Sequence, residues 1–376
     1  MPLLVESLPK SGQGAWLEIR LDRLAANLKA IKRMTAGREV MAVIKANAYG
    51  HGLVEIARAL EGEVSGLGVS SIYEVLELRE HGIETPVFLF GRLFGPEIVT
   101  AIKNNVTLSV SGVEEATEIS EIAQSLLKKV PVHVKIDTGM GRLGIRAEEA
   151  LKAIEEMSIM PGIVLDGIYT HFATAERLDG FAEEQLRAFQ RLLLQLEEKG
   201  IRFRLRHCSN SAGNVRMLNG MMNMVRPGLL MYGIYPDPSL KGHDCSPILS
   251  FKSRIILTKH IQPGDSVGYG RSFVSPRATN IATLPVGYSH GYPFHLSNNA
   301  WVLYKGKRYP LAGRVSMDYL TVDLGDTEAK AGDEVTLLGE DGDASITAED
   351  LAAWAETIPY EIVTRLISRL PRFYRS

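Results

Sequence analysis

Val40-Met-Ala-Val-Ile-Lys45-Ala-Asn47-Ala-Tyr49-Gly-His51-Gly52 passes from an apolar run into a lysine and then a polar, glycine-punctuated turn. An apolar run of this length, stopped by turn residues, reads as a buried strand. The texture returns at Gly66–Ser70, Val87–Phe90, Thr107–Val110, Val132–Asp137, Leu165–His171, Leu205–Ser209 and Met222–Arg226. Between these runs lie Leu53–Leu60, Ile72–His81, Glu114–Lys128, Ala147–Met157 and Ala182–Glu198, whose apolar residues recur at helical spacing. Repeated strand–helix units predict parallel strands with right-handed crossovers, and eight of them close a TIM-type (β/α)8 barrel. A doubly wound open sheet is the alternative. The strand count, and the lack of a Gly-x-Gly-x-x-Gly turn after the first strand, weigh against it.

After about Asp237 the helical period disappears until Ala348–Glu356. Short strands take its place: Ser253–Thr258, Asn280–Pro285, Trp301–Tyr304, Arg308–Leu311, Tyr319–Asp323 and Asp333–Leu338, with a turn at Gln262-Pro263-Gly264-Asp265. The expected organisation is therefore a barrel over residues 1–240 and a mainly β domain over residues 241–376. The strand-like run Ala15–Ile19 could pair with either.

The chain has 376 residues, too many for one hydrophobic core, which agrees with two domains. A formal net charge of −2 gives no field for gathering nucleic acid or anionic membrane. The longest apolar stretches are strand-sized, too short to cross a bilayer. Met1–Gly14 lacks a basic region followed by an apolar run, so no secretory signal is expected there. Two cysteines, Cys208 and Cys245, exclude a disulfide framework, favour a cytoplasmic setting and, with no histidine at ligand spacing, argue against a metal site.

In a barrel, chemistry gathers where strands end. Lys45, after an apolar strand, is open to desolvation, which lowers the pKa of an amine and frees it to form a Schiff base. A lysine snorkelling to the rim is the plainer alternative. The fifth strand ends Val-Lys135-Ile-Asp137-Thr-Gly139-Met-Gly141-Arg142-Leu-Gly144. Lys135 and Asp137 share a face, Arg142 offers a planar fork of donors, and the glycines admit close backbone approach. A salt-bridged turn would read the same way. The sixth strand runs into His171, and the seventh into His207-Cys208-Ser209-Asn210-Ser211, where a phosphate or a simple helix cap would fit equally. The eighth gives Arg226-Pro227-Gly228-Leu229. Together these place a lysine, two arginines, a histidine and an anion-type loop at one mouth. That inventory suits an aldehyde cofactor bearing a phosphate.

Ala42–Gly52 resembles the pyridoxal-phosphate attachment signature of the alanine racemase family. Further matches follow in the family's order: Lys135–Gly144, Thr170–Ala173, His207–Ser211, Arg226–Gly228, Val267-Gly-Tyr269-Gly, Gly287-Tyr288, Gly313–Asp318 and Ile358–Glu361. The resemblance spans nearly the whole chain, and several motifs in one order make it specific. It implies a homodimeric, cytoplasmic isomerase that interconverts L- and D-alanine and supplies D-alanine for peptidoglycan. It implies pyridoxal 5'-phosphate on Lys45, with Lys45 and Tyr269 serving opposite faces of the substrate and Tyr269 contributed by the partner subunit. Tyr49, Asn210, Ser211, Gly228, Leu229 and Tyr360 would hold the phosphate end, and Arg226 would face the pyridine nitrogen. His171 and Arg226 would assist Tyr269. Arg142 and the Met317 amide would take the substrate carboxylate, with Lys135 and Asp318 in support. Lys135 matches a position often carbamylated in this family.

Some positions depart from the family pattern. His290 and Phe294 stand in the entrance region where an acid and an arginine are usual; Ser316 and Thr364 stand where cysteine is common. Two rival functions remain at this level. A decarboxylase, or a racemase for larger amino acids, is one. Arg226 argues against the decarboxylase, which would set an acid against the ring nitrogen. A non-catalytic pyridoxal-phosphate carrier built from the barrel alone is the other, and the β domain bearing Tyr269 and Met317 argues against it.

Overall fold

The computed structural model describes residues 12–218, 220–366 and 370–376. Most of the opening stretch read for a secretory signal, residues 1–11, lies outside them.

Eight parallel strands follow one another around a closed barrel: Glu39–Val43, Gly66–Val69, Val87–Leu89, Val106–Val110, Val130–Asp137, Ile163–Tyr169, Leu205–His207 and Met224–Val225. Each pairs with the next, and the eighth closes on the first where Met224 meets Glu39. The barrel read from the strand repeat is therefore present, and the open sheet is not. Ordinals below count these strands. The helices Leu53–Leu60, Ile72–Glu80, Val113–Ser125, Ala150–Ser158 and Phe181–Glu198 stand where the apolar period placed them. Two more, Leu21–Met34 and Pro96–Lys103, complete the outer ring among the described residues. The main core runs from the layer between barrel and helices into the β portion, where Phe251, Leu303 and Leu337 belong to it. A smaller cluster of Met41, Phe88, Tyr169, Leu205 and Met224 forms a separate core.

The remainder is mainly β. A seven-stranded sheet contains Leu249–Arg254, Trp301–Tyr304, Lys307–Pro310 and Glu334–Asp341. Ala15–Arg20 joins it, antiparallel to Leu249–Arg254 and parallel to Arg372–Arg375. A three-stranded sheet is made by Leu257–Ile261, Thr279–Leu284 and Leu320–Gly325. The strand expected at Ser253–Thr258 is in fact two. Ile255 donates to Asp333 and Ile256 to Thr283, so the chain crosses from one sheet to the other within an unbroken β-prone run.

Candidate active site

Lys45 follows the first barrel strand, and the four residues after it are left-handed: Ala46, Asn47, Ala48 and Tyr49 have φ of 53, 55, 51 and 54°. Such a conformation costs about 1–2 kcal/mol per residue, so the turn must be over-determined by its surroundings. The Glu74 carboxylate, in the capping box that opens the helix after the second strand, accepts from the Ala46 amide at 2.6 Å. Asn47 Oδ1 accepts from Leu53 N at 2.7 Å. The C-terminal strand closes the other side: Arg372 donates to the Gly50 carbonyl at 3.0 and 2.9 Å, and Tyr374 to the His51 carbonyl at 3.0 Å. Burial and the charge of Arg142 pull the Lys45 amine below its ordinary pKa, opposed by Glu74.

At the fifth strand the expected Lys135–Asp137 partnership is absent. The Asp137 carboxylate instead accepts from the amides of Gly139 and Gly141 at 2.9 and 3.1 Å, folding the loop that carries Arg142. Gly144, at φ 115°, passes so close that a Cβ would lie 2.9 Å from Asp137 N. Lys135 is 5% exposed and has no carboxylate partner among the described residues. Burial, Arg142 and Arg226 together lower its pKa to about 8.

Arg226 follows the eighth strand and is 3% exposed. It donates to His207 Nδ1 at 2.7 Å, the Thr170 and Cys208 carbonyls at 2.9 and 3.1 Å, and His171 Nδ1 at 3.3 Å. A guanidinium has no acceptor, so His171 Nδ1 must be the acceptor and the neutral ring carries its proton on Nε2. Burial and then the charge of Arg226, with Lys135, Arg142 and Lys45 adding, hold His171 well below its ordinary pKa.

The anion loop is built as a cradle. The Ser211 hydroxyl accepts from the amides of Gly228 and Leu230 at 3.0 and 3.2 Å. A Cβ at Gly228 would fall 2.6 Å from the Tyr49 hydroxyl, so only glycine fits there. Tyr49 carries no side-chain hydrogen bond among the described residues, and Tyr360 flanks it at 6.1 Å between ring centroids. Leu229 is buried. The Asn210 side chain caps the short helix Ser211–Val215 by accepting from Gly213 N at 2.9 Å, the cap alternative realised.

Tyr269 and Met317 lie in the β portion. Tyr269 is 72% exposed and Met317 54%. Gly268 and Gly270, at φ 74 and 70°, bend the chain around Tyr269 against Arg314. A cleft of about 340 Å³ is lined by Gly268, Tyr269, Arg314, Ser316 and Tyr319. Asp318 accepts from the Ser289 hydroxyl at 2.9 Å, tying the Met317 loop to the Gly287–Gly291 segment. Within that segment His290 Nδ1 accepts from Gly287 N at 3.2 Å, and Phe294 beyond it is exposed. Lys45, Lys135, Arg142, His171 and Arg226 therefore share one electrostatic neighbourhood.

The sequence reading passed over Glu74, His133, Asp166 and Arg372. The Ser71–Glu74 spacing signals a helix start, but not that the same carboxylate reaches across to the Lys45 turn. Among the described residues no group of three His, Cys, Asp or Glu could hold a metal, and no helix is long and apolar enough to cross a membrane. Both cysteines are free and buried.

The residues present fit pyridoxal phosphate. The buried cations Lys135 and Arg226 suit its anionic groups, the missing Cβ at Gly228 lets the Tyr49 hydroxyl approach the backbone beside Ser211, and Lys45 is a desolvated amine.

Residues 19–236 match the family described as "Alanine racemase, N-terminal domain", and residues 248–374 match "Alanine racemase, C-terminal domain". An alanine racemase from Desulforamulus reducens is 42% identical over 366 residues, covering 96% of this chain and 98% of its own. The crystal structure of alanine racemase from a D-cycloserine-producing Streptomyces lavendulae superposes with a TM-score of 0.91 at 34% identity, covering 97% of each chain. That of Bartonella henselae, with covalently bound pyridoxal phosphate, gives 0.86 at 29% identity, covering 96% of this chain and all (100%) of its own.

Proposed function

Since the chain belongs to the alanine racemase family and is an isomerase acting on alanine, we propose that it does so by a two-base, pyridoxal-phosphate-dependent mechanism using Lys45 and Tyr269. The observation that carries the reading is the desolvated Lys45 amine at a mouth where Arg226 is buried and hydrogen-bonded to His171. When bound, pyridoxal phosphate supplies an aldehyde that condenses with amines and a ring that accepts electron density when an α-proton leaves.

Lys45 provides the amine. Its lowered pKa favours the neutral form, which takes or returns a proton at Nζ on one face of the substrate Cα. Racemisation needs a second group on the opposite face. Tyr269, too exposed to belong to a finished site in its own chain, serves from a second copy in a homodimer. A phenol is a weak base at neutral pH unless assisted. With its proton on Nε2, His171 can donate to the phenolate oxygen and lower the cost of forming it. Arg226, which does not give up its proton, would hold the ring nitrogen and leave it unprotonated, making the ring a poorer electron sink. Arg142, with the Met317 amide of the second copy, takes the substrate carboxylate, and Asp318 fixes the Met317 loop. Tyr49, Asn210, Ser211, Gly228, Leu229 and Tyr360 hold the phosphate.

Lys135 supports Arg142 as a carbamate: its neutral amine adds to carbon dioxide and loses a proton, giving an anion among cations. A buried amine near Arg142, Arg226 and Lys45, with no acid partner among the described residues, favours that change. The division near residue 240 is part of the same reading, with the barrel before it forming the cofactor domain and 241–376, joined by the strand Ala15–Arg20, the domain that carries Tyr269 to the partner. We place the enzyme in the cytoplasm, supplying D-alanine for peptidoglycan.

Incubation with L-alanine in deuterated water tests the proposal. Both enantiomers carrying deuterium at Cα are expected, whereas recovery of amine and carbon dioxide would assign a decarboxylase. A chiral assay across a panel of amino acids then defines the range left open by His290 and Phe294.

A further inference from the structure

Arg226 is buried, yet none of its four acceptors is a carboxylate. A buried guanidinium with no carboxylate against it is held by neutral acceptors, whose own orientation must then be fixed by further partners. His207 Nδ1 accepts from Arg226, so the neutral His207 ring carries its proton on Nε2. That atom lies 2.8 Å from His133 Nδ1, which must then accept. His133 in turn carries its proton on Nε2, facing Asp166 Oδ2 at 3.5 Å. Asp166 is gripped from outside by Arg204 through bonds of 2.8 and 2.7 Å. The first two links are hydrogen bonds of 2.7 and 2.8 Å and the last is a 3.5 Å contact with the carboxylate, so the direction is set by the guanidinium at one end and the carboxylate at the other.

The surroundings are shaped for this series. His207 stacks on Tyr169 with rings 4.9 Å apart and 3° from parallel, and His133 stacks on Phe88 at 4.6 Å. A Cβ at Gly167 would fall 2.4 Å from the His133 ring, so glycine is what makes room for it. Burial depresses both imidazoles and keeps them neutral. Asp166 is held ionised, first by His133 and then by Arg204.

We propose that Asp166, acting through His133 and His207, is a positioning residue of Arg226, fixing the guanidinium at the barrel mouth through two oriented imidazoles. A carboxylate accepting from His133 makes the far nitrogen of each ring a stronger acceptor, and so tightens the last bond to Arg226. The consequence for turnover rests on the reading that Arg226 faces the cofactor; the series itself does not.

The test is long-range ¹H–¹⁵N NMR on cofactor-free protein labelled with ¹⁵N-histidine, in wild type and Asp166→Asn. In the wild type, His133 and His207 are both expected as neutral Nε2–H tautomers. In Asp166→Asn, His133 should populate the other tautomer and the His207 Nδ1 resonance should shift. With cofactor, kcat should fall roughly tenfold, the size typical of losing an outer hydrogen-bond partner, with KM for alanine little changed and with recovery in Asp166→Glu. A proton on His207 Nδ1 in the wild type would overturn the proposal, as would tautomers unmoved by Asp166→Asn. The wild-type spectrum decides even if the variant fails to fold. An inactive wild type would instead defeat the racemase mechanism and leave the tautomers standing.

Discussion

At the barrel mouth Arg226 is 3% exposed and its donors meet four acceptors, while Tyr269 stands 72% exposed on a glycine-flanked turn, with Tyr288, Met317 and Tyr319 of the β portion also uncovered. In the first region Arg226 and His171 are oriented by neighbours, and the backbone strain at Ala46–Tyr49 is restrained from two sides. The second is uncovered in this chain. An exposed apolar, aromatic surface is characteristic of a contact site. The difference agrees with the proposal that the exposed half completes a site on a second copy, and the predictions aim at that division.

Lys45→Ala should lower racemisation on the order of 10⁴-fold, and borohydride should no longer fix pyridoxal phosphate to the protein. Retention of either property would remove Lys45 from its role. Tyr269→Phe should lower racemisation by roughly 10²- to 10³-fold while melting stays within about 0.5 kcal/mol of wild type, because the side chain is exposed. Exchange of the α-proton of one enantiomer with solvent, followed by mass spectrometry, should survive. Equal loss of exchange for both enantiomers would show that Tyr269 does not act on one face.

Lys135 offers a smaller effect with a definite sign. Its amine is neutral above about pH 8 and protonated below, and only the neutral form adds to carbon dioxide. Stimulation of activity by bicarbonate should therefore grow as pH rises from 7 to 9 and vanish in Lys135→Ala. Stimulation that weakens with rising pH would contradict the carbamate. The smallest effect expected is at Gly144, where alanine would strain a backbone at φ 115° and press on Asp137 N. A loss of about 1–3 kcal/mol in chemical denaturation is expected, with KM for alanine rising through Arg142. An unchanged KM would detach the loop from the substrate.

Much of the barrel was legible in the sequence because each strand is an apolar run stopped by polar or glycine residues, as at Val40–Lys45. The helix Leu21–Met34 escaped because it follows the strand Ala15–Arg20 directly, with no capping side chain at Arg20 to mark the change. Pro96–Lys103 was also missed, although Leu53–Leu60, equally eight residues long, was found. Arg372–Arg375 has arginine at both ends and pairs directly with Ala15–Arg20, at the opposite end of the chain. The sheet switch at Ile255–Ile256 has no local signal, since both neighbours in space suit the same β-prone residues. At the site, residues at strand ends were found because a strand end is a place where polar groups are unexpected. Glu74, His133 and Asp166 act across distances that no spacing encodes.

Subunit complementation tests the central claim most directly. Lys45→Ala and Tyr269→Phe protomers, each inactive alone, are mixed, unfolded and refolded together. Half of the dimers formed should pair one of each, and each such dimer should hold one intact site, giving about a quarter of wild-type activity. Activity no higher than that of either variant alone would show that Lys45 and Tyr269 do not meet across subunits.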